Sequence, residues 1–139
     1  METLISVKKE QSISIIENAF ENFLKGNIAG ILDNCTDDIE WGSYSNTVVP
    51  FGKTYHGKKG AAEFFSTLGG MLDYKIFDPQ DYYADKDSVL VRGRHEATVK
   101  ATGKNFSHEF LMHFKLRDGK VFSFFAFVDT RDEALAFSK

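Results

Sequence analysis

An α+β fold, with helices first and an antiparallel meander after them, is what this sequence predicts. Two observations carry that expectation. Apolar residues recur every third or fourth position up to about Leu68, and every second position from about Lys75 onward. Two short glycine-containing turns, Thr102-Gly103-Lys104 and Arg117-Asp118-Gly119-Lys120, join the alternating segments, and turns this tight connect antiparallel neighbours.

The first helix is expected from about Ser12 to Lys25. Ile13, Ile16, Phe20, Phe23 and Leu24 form its apolar stripe, and Glu17, Asn18, Glu21 and Asn22 its polar face. Ser12 has the hydroxyl of an N-cap, and Gly26 suits the left-handed residue that closes a helix. Asn27 caps a short second helix carrying Ile28, Ile31 and Leu32, giving a helical hairpin. Residues 37–42 (DDIEWG) alternate as a short strand with Ile39 and Trp41 on one face. Ser43 to Gly57 lacks periodicity and reads as a loop. A third helix starts near Lys58, with Ala61, Phe64, Phe65 and Leu68 on one stripe and Gly69-Gly70 as its stop. Strands follow at Lys75–Ala84 (bent at Pro79), at Val89–Val99, at Phe106–Leu116 and at Val121–Asp129. Arg131 to Phe137 reads as a helical tail.

At 139 residues the chain suits one domain. Fourteen phenylalanines compensate for an apolar fraction of 42%, so the core should be built largely of rings. The net charge of −3 is spread without a basic run, which argues against nucleic acid or an anionic membrane as partner. A single cysteine, Cys35, leaves no intrachain disulfide, and its apolar context predicts a buried, unreactive thiol. The chain opens on no basic segment followed by an apolar stretch, so a cytoplasmic location is expected.

Strand parity then selects candidate site residues. On Val89–Val99 the apolar face that turns inward contains His95, and on Phe106–Leu116 it contains His108. With the turn centred on Gly103, His108 is expected near Ala97 and His95 near Phe110 and Met112, about two cross-strand rows apart. Imidazoles titrate near neutrality and can accept or donate a proton, or they can be satisfied core residues. His113 falls on the opposite face. Metal binding would need a third ligand from Asp129, Glu40 or His56, and no compact motif supports it, so neither metal nor cofactor is expected.

The segments FLKGNIAGILDN, DDIEW, PFGKTYHGKKGAAEFF and LRDGKVFSFFAFVDT, in this order, resemble the SnoaL-like branch of the nuclear-transport-factor-2-like (ketosteroid-isomerase-like) superfamily. The resemblance covers about Ile13 to Ala136. It implies a cone, a curved sheet wrapped around helices with a pocket at its open end, and a homodimer joined through the outer sheet face. It also places Tyr55 and the PFGKTYHG stretch at the pocket mouth and Asp129 in the closing VDT motif, as a general base or a helix cap. Chemistry within that superfamily varies widely, so the fold implies a pocket but no particular reaction. Ketosteroid isomerases use a carboxylate base with a tyrosine and a protonated aspartate. Here Trp41 stands at the inward position where that base would be, and Ala19-Phe20 where the tyrosine would be. The standard steroid route is therefore not expected.

The expected pocket is of moderate size and mostly apolar, lined by Phe20, Trp41, Phe64, His95, His108, Phe110, Met112 and Phe127, with Tyr44 and Tyr55 from the loop. The leading functional expectation is cofactor-free acid–base chemistry on a small hydrophobic carbonyl compound, of isomerase, cyclase or hydrolase type. His95, Asp129 or His108 would move the proton, and Trp41 or Tyr55 would steady the oxygen. The alternative is a ligand-binding or dimeric interaction module without turnover.

Overall fold

The computed structural model describes residues 4–43 and 49–139, with side chains from residue 8 onward. Helices α1 (Leu4–Leu24) and α2 (Ile28–Asp33) precede β1 (Cys35–Ser43). A two-residue strand β2 (Tyr55–His56), α3 (Gly57–Met71), β3 (Leu72–Asp85), β4 (Ser88–Val99), β5 (Asn105–Arg117), β6 (Lys120–Phe127) and α4 (Thr130–Phe137) follow. The strands form one curved, six-stranded sheet in the order β2-β1-β6-β5-β4-β3. The α+β class expected from the change of period is the class observed. One pair departs from the antiparallel rule: β1 runs parallel to β6. These strands are 83 or more residues apart at their paired positions, so no hairpin sets their relative direction.

α1 begins eight residues before the expected cap. Ser12 lies inside it, buried, with its hydroxyl donating to the Lys86 carbonyl at 3.4 Å. Gly26 (φ 74°) closes α1, and Asn27 caps α2 by accepting from the Gly30 N–H at 3.1 Å, both as expected. Gly69 and Gly70 do not stop α3, which continues to Met71 and runs directly into β3. The turn between β5 and β6 has Asp118 and Gly119 at φ 52° and 78° with Arg117 paired to Lys120, the two-residue arrangement that the right-handed twist of hairpins favours.

The sheet's concave face and the helices enclose a ring-rich core. Phe20 of α1 meets Phe77 of β3 at 5.6 Å and Phe114 of β5 at 5.7 Å. Trp41 of β1 stacks on Phe124 of β6 at 4.1 Å and tilts against Phe65 of α3 at 5.1 Å. Of the neighbouring tyrosines on β3, Tyr82 turns in toward Phe20 and Tyr83 is exposed. Cys35 is buried, and burial pushes its thiol up to about 11, so it stays protonated and inert at neutral pH. Among the described residues no helix is long and apolar enough to cross a membrane.

Candidate functional site

The histidine pair is closer than the sequence implied. β4 and β5 are in register with Thr98 opposite Asn105, Ala97 opposite Phe106, and His95 directly opposite His108. The expected offset of two rows came from centring the turn on Gly103. Instead the loop is Lys100–Gly103, closed by the Val99 N–H to the Lys104 carbonyl at 2.8 Å and the Gly103 N–H to the Val99 carbonyl at 2.8 Å. Gly103, at φ 72°, is the last loop residue and not its centre.

The two imidazoles meet Nε2 to Nε2 at 2.8 Å. His108 Nδ1 lies 2.9 Å from Oδ2 of Asp132, and the Ser107 backbone N–H donates to the same oxygen at 3.1 Å. His95 is 4% exposed and is walled by Tyr74, Phe77, Phe106 and Phe110, with ring centroids 5.2 to 6.3 Å away. Burial among rings, followed by the neighbouring His108, pulls its pKa down to about 3, so it is neutral at physiological pH. Its Nδ1 is buried and has no hydrogen-bond partner among the described residues.

His95 opens onto a cavity of about 80 Å³ between the helices and the sheet. Phe20 and Phe23 of α1, Trp41 of β1, Phe64, Phe65 and Leu68 of α3, and Met112 and Phe114 of β5 form its apolar walls. Its size corrects the expectation of a moderate pocket. A cavity that accepts benzene measures roughly 150 Å³, so a ring enters here only if Phe or Met side chains swing aside. The polar groups that reach the wall are few. They are Ser43, Tyr74, His95, Glu133 and the Trp41 indole, whose buried N–H also has no partner among the described residues. Glu133 is 4% exposed, and burial, with the Asp132 charge beside it, pushes its carboxyl up to about 7. The same burial, with Glu133 nearby, raises the Tyr74 phenol well above its usual range.

Other expected site residues lie elsewhere. His108 sits behind His95 and not on the cavity wall, and Phe110 is core, stacked on Phe77 at 5.3 Å. Tyr55 is buried, but it packs behind Phe64 at 5.6 Å and takes Lys53 over its ring, away from the cavity. Phe127 is 42% exposed on the outer face opposite Leu111. A bulge explains it: Leu116 pairs with Val121 and Lys115 with Ser123, so the extra residue Phe122 reverses the parity of β6 and turns Phe124, Ala126 and Val128 inward. Tyr44 lies outside the described residues. His56 and Glu40 face each other at 3.7 Å on the exposed β1–β2 edge, remote from His95. Among the described residues no three His, Cys, Asp or Glu side chains converge on a cation position.

Asp129 is exposed and spends its carboxylate on the α4 cap, accepting from the Asp132 N–H at 2.9 Å. Of the two roles open to it, the cap is the one its geometry fits. Asp129→Ala should cost about 1 kcal/mol of stability, read by urea unfolding.

Asp132 and Glu133 were missed as site residues. A signal existed: helical spacing puts Glu133 on the same face as Phe137, with Ala134 and Ala136 beside it, so an acidic residue sits on the apolar side of the tail helix.

A family model for the SnoaL-like domain matches residues 16–124. Among solved structures, an NTF2-like protein from Burkholderia xenovorans LB400 is 25% identical with a TM-score of 0.86, over 94% of this chain and 98% of that one. TerC, co-crystallised with polyporic acid, is 23% identical with a TM-score of 0.79, over 93% and 99%. A candidate polyketide cyclase from Xanthomonas campestris pv. campestris is 13% identical with a TM-score of 0.80, over 94% and 99%. The latter two likenesses concern the fold alone. No curated protein matches the sequence.

Proposed function

The chain belongs to the SnoaL-like domain family, and from that premise we propose that it binds a small, largely apolar carbonyl compound and moves a proton on it without a cofactor. The observation that carries this reading is the unpartnered Nδ1 of a neutral, buried histidine on the wall of a mostly apolar cavity. A neutral imidazole is a base. Held in a dry site with an N–H donor and a carboxyl near its protonation midpoint, it has the partners that enolisation needs. His95 takes the proton from the carbon next to the carbonyl. The Trp41 N–H and the Glu133 carboxyl, titrating near pH 7, steady the oxygen as charge develops there. That a solved structure of the same fold holds polyporic acid, and that another is named for polyketide cyclisation, supports a carbonyl ligand.

Cyclohexanone in D₂O tests this reading. The wild type should raise the rate of α-hydrogen exchange, and His95→Gln should lower that catalysed rate by about 100-fold or more. Bound ketone should also raise the melting midpoint by mass action. A midpoint shift with no catalysed exchange would instead support the binding module without turnover.

The outer sheet face adds a second expectation. Leu90, Leu111 and Phe127 expose apolar surface there on three adjacent strands, which supports a homodimer through that face. Leu111→Glu should then convert a dimer to a monomer in sedimentation velocity.

A further inference from the structure

We infer that Asp132, His108 and His95 form a proton relay, in which a proton taken up at Nδ1 of His95 comes to rest on His108 beside the Asp132 carboxylate. The reasoning starts from hydrogen-bond roles. An ionised carboxylate only accepts, so Nδ1 of His108, 2.9 Å from Asp132 Oδ2, carries a proton. Two ring nitrogens 2.8 Å apart hold a single proton between them, because two would repel and none would leave facing lone pairs. Only two arrangements satisfy both contacts while His95 stays neutral.

In the first, His108 is neutral with its proton on Nδ1. Its Nε2 accepts from the Nε2–H of His95, and Nδ1 of His95 is a bare lone pair. In the second, His108 is an imidazolium donating to both Asp132 and His95, and His95 carries its proton on Nδ1. One proton entering at His95 Nδ1, with the Nε2 proton passing to His108, converts the first into the second. His95 never becomes charged, which its cage of Tyr74, Phe77, Phe106 and Phe110 would oppose. The charge appears on His108, where Asp132 already accepts from the ring and from the Ser107 N–H. Asp132 is itself held by the Asp129 cap, and its side chain is 37% exposed, so the far end of the relay reaches solvent. The other ionisable groups facing the pair are Glu133 of α4 and Tyr74 of β3.

The relay deepens the function proposed above and rests on it for the substrate. As the C–H bond next to the carbonyl breaks, its electron pair forms the C=C of the enolate. The proton goes to His95 Nδ1, and the Nε2 proton goes to His108. Reversal returns one proton to carbon or oxygen. His95 is the catalytic residue, and His108 and Asp132 are positioning residues.

The test is a pH titration of the ligand-free full chain with ¹⁵N-labelled histidine rings, read by NMR. As His108 becomes cationic, His95 should stay neutral and switch from the Nε2–H to the Nδ1–H tautomer at the same midpoint. Asp132→Asn should lower that midpoint by about one pH unit or more. A His95 tautomer that does not change through the titration of His108 overturns the relay, as does an unmoved midpoint in Asp132→Asn. The wild-type titration decides even if the variant does not fold. Because no ketone is present, a relay seen here alongside failed cyclohexanone exchange would overturn the proposed reaction and leave the relay standing.

Discussion

Gly93→Ala should lower the unfolding free energy by about 2–4 kcal/mol, seen as a lower urea midpoint at unchanged slope. Gly93 lies on the inner face of β4 between Pro79 of β3 and Phe110 of β5. A Cβ there would overlap the tip of the Phe110 ring, lie 2.5 Å from the Asp78 carbonyl oxygen and 2.9 Å from the Pro79 Cα. Two of these three are backbone atoms, which cannot rotate away. Replacing glycine in a strand would by itself stabilise by about 0.5–1 kcal/mol, so the overlap has to exceed that gain for the predicted sign to hold. The bulge between Pro79 and Asp81 is what brings β3 so close. A loss under about 1 kcal/mol would mean that β3 shifts freely, and that the close approach is not a constraint. The Phe110 ring, though off the cavity wall, packs against His95 at 5.2 Å, so the same substitution should disturb the ketone exchange.

Glu133→Gln should stabilise the protein at pH 8 and leave it nearly unchanged at pH 4. Burial raises the folded carboxyl from 4.5 to about 7. Between those values the folded state holds a proton that the unfolded state has released, so stability falls as pH rises. The favourable contribution is complete below 4.5 and is lost as pH rises through 7. At about 1.4 kcal/mol per pH unit, the ionised carboxyl at pH 8 weighs against folding by up to roughly 3 kcal/mol. Glutamine keeps the shape and removes the charge. Calorimetry at pH 8 should show a melting midpoint higher by about 5–10 °C, and at pH 4 a difference within about 2 °C. His95 has the opposite sign: its depressed pKa of about 3 makes its contribution complete above 6.5 and lost as pH falls toward 3. Equal destabilisation by Glu133→Gln at both pH values would show that the carboxyl makes a specific bond that the amide cannot replace.

Much of the architecture was legible in the chain, because local patterns decide it. The stripe of Ile16 and Phe20, the Asn27 cap, the Asp118-Gly119 turn and the inward parity of His95, His108 and Trp41 all follow from spacing that any strand or helix must obey. Local patterns did less well wherever one residue changes the count. Phe122 reversed the parity of β6 and put Phe127 outside, and the four-residue loop before Lys104 moved His108 from beside Ala97 to opposite His95. Helix α3 ran through Gly69-Gly70 because Leu72 starts β3 at once, a tertiary demand that outweighs a weak local stop.

By itself, then, the sequence determined the α+β class, the SnoaL-like family and the inward faces of the strands, because periodicity and turn chemistry act over a few residues. Only the tertiary structure decided what shares a site. The approach of α4 to β4 and β5, which sets Asp132 against His108 and Glu133 on the cavity wall, joins residues 24 or more positions apart. No local spacing encodes such a contact. The lowered His95 and the raised Glu133 arise from burial shared among several elements, and that shared burial exists only once the chain has packed.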